Sequence, residues 1–167
     1  KYLILLYYKT CESKRIAICS YKLLSQILEP DRDIDISYFA NEKIVANRLE
    51  KIKKAYSTPS IWHENKGGNI SALPYSCALR AGASYNYLLV NGKRRLTSRE
   101  MLRLQGFPET FKIVVSYQAM RKLTGNSVAI PVIEAVASNI IEAIQQLQPK
   151  QSKKEYKQLT LLKAINA

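Results

Sequence analysis

The sequence predicts an α/β chain in which helical stretches flank a small, irregular, β-rich lobe. Three observations carry that expectation. Apolar residues recur at helical spacing in two stretches, 38–55 and 128–144. Glycine, proline and tyrosine crowd the aperiodic stretch between Ser57 and Asn91. The short aliphatic and aromatic run Tyr2–Tyr8 has the length and composition of a buried strand.

Taken in order, Tyr2–Tyr8 ends at the polar run Lys9–Arg15, and Ile16–Cys19 reads as a second strand. Two such strands need further partners to make a stable sheet. Lys22–Leu28 is helical in pattern, and Pro30-Asp-Arg-Asp marks a turn before the isoleucine-alternating stretch Asp33–Ile36. Across 38–55, Phe39, Ile44, Val45, Leu49 and Ile52 share one face, and Lys43, Arg48, Lys51, Lys53 and Lys54 the other. That pattern is an amphipathic helix. From Ser57 onward Pro59, Gly67, Gly68, Pro74 and Gly82 interleave with Tyr75, Tyr85 and Tyr87, so short strands and loops are expected.

Thr97-Ser-Arg-Glu100 fits a capping box, with the threonine hydroxyl on the third helical N–H and the glutamate reaching back. Gly106 and Pro108 stop that helix, and Ser116 starts another. After Gly125-Asn126, the residues Val128, Val132, Val136, Ile140 and Ile144 step by four, with Pro131 in the first turn, where proline is tolerated. The expected organisation is terminal strands at 1–20, a helical connection at 21–55, the irregular lobe at 56–115, a closing helix at 116–146 and a basic tail at 147–167.

The chain has 167 residues, with 26 Lys and Arg against 13 Asp and Glu, a formal charge of +13. At 47% hydrophobic residues its composition is that of a globular protein, not a disordered basic tail. Such an excess points to a polyanionic partner, nucleic acid foremost. No run approaches about eighteen consecutive apolar residues, so no membrane span is expected. A secretory leader is not seen either. Three cysteines (Cys11, Cys19 and Cys77) without a C-x-x-C pair argue against a disulfide framework, and each is expected to be a small apolar filler. One histidine, His63, cannot make a zinc site without partners; no metal is expected, and no catalytic role is given to it.

Two segments go beyond composition: Arg95-Leu-Thr-Ser-Arg-Glu-Met-Leu-Arg-Leu-Gln-Gly-Phe-Pro108, and Gly125-Asn-Ser-Val-Ala-Ile-Pro-Val132 leading into Ala135–Ile144. In order and separation they resemble the last two sequence motifs of the DNA (cytosine-5) methyltransferases. Upstream the resemblance takes in Tyr87-Leu-Leu-Val-Asn-Gly92, and it reaches Lys66-Gly-Gly-Asn69, similar to the glycine-rich loop of the target-recognition region in some bacterial members. Family hallmarks of the catalytic lobe do not occur: no cysteine follows a proline, and the Glu-Asn pair at 64–65 runs into Lys66 rather than valine.

The resemblance implies the C-terminal portion of an S-adenosylmethionine-dependent methyltransferase fold. It would comprise a DNA-recognition lobe and a C-terminal helix packing on the catalytic sheet, either as the smaller subunit of a split enzyme or as a trimmed piece. The implied partners are double-stranded DNA and a complementary catalytic polypeptide, in the bacterial cytoplasm at the nucleoid. S-adenosylmethionine would be held mainly by that other portion. The implied DNA-facing residues are Lys66, Gly67, Gly68 and Asn69, with Arg80, Gly82, Ser84, Tyr85 and Asn86. Arginine suits guanine O6 and N7, glycine permits close approach, and the polar side chains suit base edges. Where members often carry Thr-Leu this chain has Ala78-Leu79, which removes a hydroxyl. Arg99, Glu100 and Arg103 are expected to brace the lobe, and Gln105 with Gly106 to end the helix. Asn126 and Ser127 are expected beside the methyl donor, with Gly125 making a tight turn. The expected rivals are a catalytically inactive, sequence-tolerant DNA-binding module and a non-specific RNA binder.

Overall fold

The computed structural model describes residues 22–52 and 58–147. The strand-like runs Tyr2–Tyr8 and Ile16–Cys19, the cations Lys53 and Lys54, the basic tail, and Cys11 and Cys19 lie outside the described residues. Two compact units are present, residues 1–134 and 135–167.

In the first unit a short helix α1 (Leu24–Ile27) is followed by two single 3-10 turns, Asp31–Asp33 and Ile36–Tyr38. The isoleucine-alternating stretch therefore forms no strand, and Ile36 is 81% exposed. Helix α2 (Glu42–Lys51) begins where the Asn41 side chain accepts from Lys43 N, which caps a free N–H. The strands β1 (Ile61–Glu64), β2 (Ile70–Leu73) and β3 (Leu88–Val90) form an antiparallel sheet in the order β2-β1-β3. In register, Ile61 faces Leu73 and Val90, and His63 faces Ser71 and Leu88.

After β3 the chain reverses through Asn91-Gly92, both with positive φ (49° and 71°), and Lys93 N donates to Val90 O at 2.9 Å. Two consecutive left-handed residues make a type I′ turn, which Asn-Gly favours. A Cβ at Gly92 would stand 2.6 Å from the Trp62 ring, so the turn also lets the indole lie flat on the backbone. The return strand-like segment brings Arg94 N to within 3.4 Å of Val90 O and carries the Arg94 side chain into the interior, where it is 1% exposed.

Helix α3 (Ser98–Leu104) is capped by Thr97, whose hydroxyl accepts from Glu100 N (3.1 Å) while Glu100 accepts from Thr97 N (2.8 Å). It packs on α1 and on α4 (Tyr117–Asn126). The core joins Leu24, Ile61, Leu88, Val90, Leu96, Met101, Leu102 and Met120. Helix α5 (Ile130–Leu147) starts at Ile130, later than the periodicity at Val128 suggests, because 127–129 remain unwound between α4 and α5.

Two readings of helical faces need correction. Arg48 lies not on a solvated face of α2 but 2% exposed, while Leu49 is 52% exposed. The Arg48 guanidinium pairs through Nη2 with Glu64 Oε2 at 2.8 Å and donates from the same nitrogen to the Asn86 carbonyl, while its buried Nη1 meets no hydrogen-bond partner among the described residues. Gly125 makes no tight turn; it is helical, near the end of α4. The expectation that nothing could span a bilayer rests on consecutive apolar residues. By length, and by a mean hydropathy of 1.6 over its most apolar 18 residues, the stretch Tyr117–Gln146 does qualify, and none of those 18 residues is buried; the stretch is two helices, α4 and α5, separated at 127–129.

The described part of the second unit is the remainder of α5. Val136, Ile140, Ile141 and Ile144 are 42–54% exposed along it.

Candidate nucleic-acid interface

The two glycine-bearing segments expected to face DNA are both surface loops held on the same small sheet. Lys66, Gly67, Gly68 and Asn69 form the tip between β1 and β2, with Lys66, Gly67 and Asn69 exposed. Asn65 organises the tip: its side-chain oxygen accepts from Asn69 N at 3.0 Å, and its carbonyl accepts from Gly68 N at 3.0 Å. Gly68 has φ +76°, a conformation that costs an L side chain about 1–2 kcal/mol. Asn69, Lys66 and the open backbone are thus presented on a defined hairpin end.

The loop 80–86 enters β3 from the opposite side of β1 from β2. Arg80, Gly82, Ser84 and Tyr85 are exposed, and Asn86 is half-buried. Arg80 N donates to the Tyr87 hydroxyl (2.9 Å), and its guanidinium lies 5.1 Å from the Tyr87 ring centroid. A Cβ at Gly82 would meet nothing within 4 Å, so no contact inside the chain demands glycine there.

Around this loop gather side chains that sequence reading did not select. Arg121 donates from Nη2 to the carbonyls of Ala83 (3.0 Å) and Ser84 (2.8 Å) and covers the Tyr85 ring at 4.2 Å. Arg95 lies 5.6 Å from the rings of Tyr85 and Tyr117 and 6.0 Å from that of Tyr38, and donates to the Ser37 carbonyl. These contacts are cation–π attractions of about 0.5–1 kcal/mol each at exposed sites. A cleft between Arg80, Tyr85, Arg95, Tyr117 and Arg121 has about 20 Å³ of space, room for a water rather than a cofactor. Burial pushes the Tyr117 hydroxyl up to about 12, against the pull of Arg95 and Arg121. A cluster of arginines beside tyrosines was visible only as separate letters far apart in the chain.

The bracing residues sit beneath. Glu100, fully buried, accepts four hydrogen bonds: from Arg94 Nη1 and Nη2 (both 2.9 Å), Glu29 N (2.8 Å) and Thr97 N (2.8 Å). Arg94 in turn uses all five N–H groups, on Glu100, Asp31 Oδ1 (2.6 Å) and the carbonyls of Glu29 and Arg95. Desolvation acts to lower the pKa of Arg94, but its bonds to Glu100 and Asp31 prevail and raise it. Arg103 makes a bidentate pair with Glu109 (2.7 and 3.0 Å), and Arg99 stands 3.9 Å from the same carboxylate. The pair with Arg103 holds the Glu109 carboxyl below its usual range.

Gln105 and Gly106 join the two motif segments. Gln105 Nε2 donates to Thr124 O (2.8 Å), and its carbonyl accepts from Ile130 N (2.8 Å). Gly106, at φ +82°, lies so near Pro131 that a Cβ would stand 2.6 Å from the ring. Ser127 is spent on the end of α4, its N–H on Leu123 O and its hydroxyl on Thr124 O (both 2.9 Å), rather than on starting α5. Asn126 is exposed. His63 lies edge-on to Tyr87, with centroids 6.4 Å apart. Cys77 is a free thiol whose pKa burial raises, with Arg80 opposing. No group of three or more His, Cys, Asp or Glu is placed to hold a metal among the described residues.

With this geometry in view, a family model for C-5 cytosine-specific DNA methylases matches residues 9–142. The type II methyltransferase M.NgoBI of Neisseria gonorrhoeae is 64% identical over 118 residues, covering 71% of this chain and 37% of that protein. The type II methyltransferase M.HaeII of Haemophilus aegyptius is 53% identical over 133 residues, 80% of this chain and 42% of that one. Among solved structures, the Dnmt2 methyltransferase of S. pombe aligns with a TM-score of 0.46 at 22% identity, over 75% of this chain and 44% of that chain. The chain belongs to the C-5 cytosine-specific DNA methylase family. It spans about two fifths of the length of these two relatives.

Proposed function

We propose that this chain supplies the DNA-recognition and closing portion of a bacterial cytosine-5 DNA methyltransferase of the restriction–modification kind. Its covalent chemistry would be carried by residues outside it. One observation bears most of the weight. The two motif segments pack on each other through Gln105, Gly106, Ile130 and Pro131, while the sequence holds neither a Pro-Cys dipeptide nor a Glu-Asn-Val segment.

Chemistry on a cytosine ring requires the base to leave the duplex stack. A protein that does this must grip phosphates, read neighbouring bases and steady the gap. The tip 66–69 and the loop 80–86 are suited to it: Lys66 for phosphate, Arg80 for a guanine edge, Asn69, Ser84 and Asn86 for base edges, and glycines for close approach. Tyr85 adds an exposed ring. The lobe would span 56–115, the connection 21–55 and the closing segment 116–146. The apolar row Val136, Ile140, Ile144 would pack on the catalytic sheet.

S-adenosylmethionine, when bound, supplies the methyl group. Of the described residues, Asn126 and Ser127 would fit one edge of it. Asn126 exposes an amide that donates and accepts, while the Ser127 hydroxyl, donating to Thr124 O, keeps only acceptor capacity.

The test is methylation of plasmid DNA by this chain with a polypeptide carrying the Pro-Cys and Glu-Asn-Val segments. Methylation is expected from the pair and not from this chain alone. No gain over the partner by itself rejects the proposal, and DNA binding without gain favours the inactive binding module. In either binding case affinity falls steeply with salt.

A further inference from the structure

Loop 80–86 has little of its own to hold it in place. Its internal bonds are long, Ala83 N to Arg80 O at 3.3 Å and Tyr87 N to Ser84 O at 3.4 Å, and Gly82 stands in open space. Its ends are tied by the Tyr87 hydroxyl, which accepts from Arg80 N (2.9 Å), and by Arg48, which donates to the Asn86 carbonyl; its middle is fixed by one face of α4. Arg121 and Gly125 are four residues apart and so project from the same side of that helix. Arg121 ties down two successive carbonyls and lies over the Tyr85 ring at 4.2 Å. One turn on, a Cβ at Gly125 would stand 2.2 Å from Ala81 N and 2.6 Å from the carbonyl carbon of Arg80. Only glycine allows helix and loop backbone to lie that close.

We propose that Arg121 and Gly125 are positioning residues for sequence recognition. They set the height and tilt of loop 80–86, so that Arg80, Ser84 and Tyr85 meet base edges in register. Arg121 does this from one nitrogen, Nη2, which takes both carbonyls while the guanidinium lies over the Tyr85 ring; a lysine has the charge but no plane to lay on that ring. The role rests on the DNA-reading function proposed for the loop, and it makes the loop's aim depend on the helix that ends at Asn126.

The experiment compares the full chain with Arg121→Lys, Arg121→Met and Gly125→Ala. Amide hydrogen exchange across 81–86 is measured first. Each protein is then used to select from a pool of short random-sequence duplexes, and the salt dependence of binding is measured on one unselected duplex. In Arg121→Lys the amides of 83–86 are expected to exchange about tenfold faster. Its selected pool should lose base preference, at an unchanged salt slope and thermal midpoint within a few degrees of wild type. Gly125→Ala should shift in the same direction; because its methyl group meets backbone it is the harsher change, and the lysine variant carries the test if it does not fold.

Exchange at the wild-type rate in Arg121→Lys overturns the proposal. So does faster exchange with an unaltered base preference. A salt slope smaller by about one in Arg121→Met would make Arg121 a direct phosphate contact and overturn it as well. A wild-type chain that selects no sequence at all overturns the parent reading of loop 80–86, and this role with it, before any variant is compared.

Discussion

Arg94 and Arg121 sit in one small unit and bind opposite kinds of partner. Arg94 is enclosed: its donors meet two carboxylates and two carbonyls, and Glu100 beneath it has its oxygens filled in turn. Arg121 and its neighbour Arg95 meet carbonyls and tyrosine rings instead, near the surface. The difference teaches where the charge of +13 becomes available. Acids are committed to bracing: Asp31 and Glu100 on Arg94, Glu64 on Arg48, Glu109 on Arg103. Around loop 80–86 positive charge is held by neutral groups, so its field is left for a polyanion.

The sharpest way to break this contrast is to remove one partner from the enclosed side. Glu100→Gln leaves Arg94 buried with half its pairing lost, and it should destabilise the chain by about 3–5 kcal/mol, read from the urea midpoint. Replacing both as Arg94→Met with Glu100→Leu should recover only part of that loss: the apolar pair needs no charge partner, but Glu29 N, Thr97 N and Asp31 lose theirs. If Glu100→Gln unfolds no more easily than wild type, the bracing role fails.

Glycines sharpen the same contrast at a smaller scale. Gly106→Ala combines a left-handed φ of +82° with a methyl 2.6 Å from Pro131, and should cost about 2–4 kcal/mol. Gly92→Ala, meeting the Trp62 ring at 2.6 Å, belongs to the same class. Gly82→Ala should change stability by no more than about 0.5 kcal/mol, since nothing is near it and its φ is ordinary. Weakened duplex binding in Gly82→Ala, at unaltered thermal midpoint, would show that the close approach is made to DNA rather than to the protein.

Local chemistry was legible in the sequence. The Thr97–Glu100 box forms as its spacing requires, because both bonds close within a single turn. Ser116 caps α4, and Gly106 ends α3, for the same reason. What escaped depends on distance along the chain. Local spacing groups Glu100 with Arg99 and Arg103, yet its partner is Arg94, delivered by the Asn91-Gly92 turn, with Glu29 and Asp31 arriving from some seventy residues upstream. Periodicity counts the Arg48 cation as polar and assigns it to the charged face; burial is possible here because Glu64 waits on β1. Gly125 looks like a turn residue in any sequence, and only the crossing of Ala81 reveals a packing constraint inside a helix.

On the exposed side the expected effects are smaller and appear in binding. Tyr85→Ala removes the ring shared by Arg95 and Arg121 and should cost about 1 kcal/mol of stability. Its larger effect should be on duplex affinity in fluorescence anisotropy. An affinity equal to wild type would detach Tyr85 from the interface.

The last prediction concerns His63, the single histidine, which stands between the two kinds of arginine. Burial first, then Arg80 and Arg48, lower its pKa, with Glu64 opposing. The unfolded chain therefore binds the proton more readily than the folded one. Neutral His63 contributes its stability above the ordinary histidine value of about 6.5, and that contribution is lost as pH falls through the folded pKa. The urea midpoint should accordingly be lower at about pH 5.5 than at about pH 7.5, and His63→Gln should flatten part of that slope. A duplex seated on loop 80–86 brings negative charge that offsets the repulsion from Arg80. The lone imidazole resonance should then titrate at higher pH in the complex than in the free chain. A titration unmoved by DNA would mean that Arg80 keeps its field when DNA binds, and that loop 80–86 does not face the duplex.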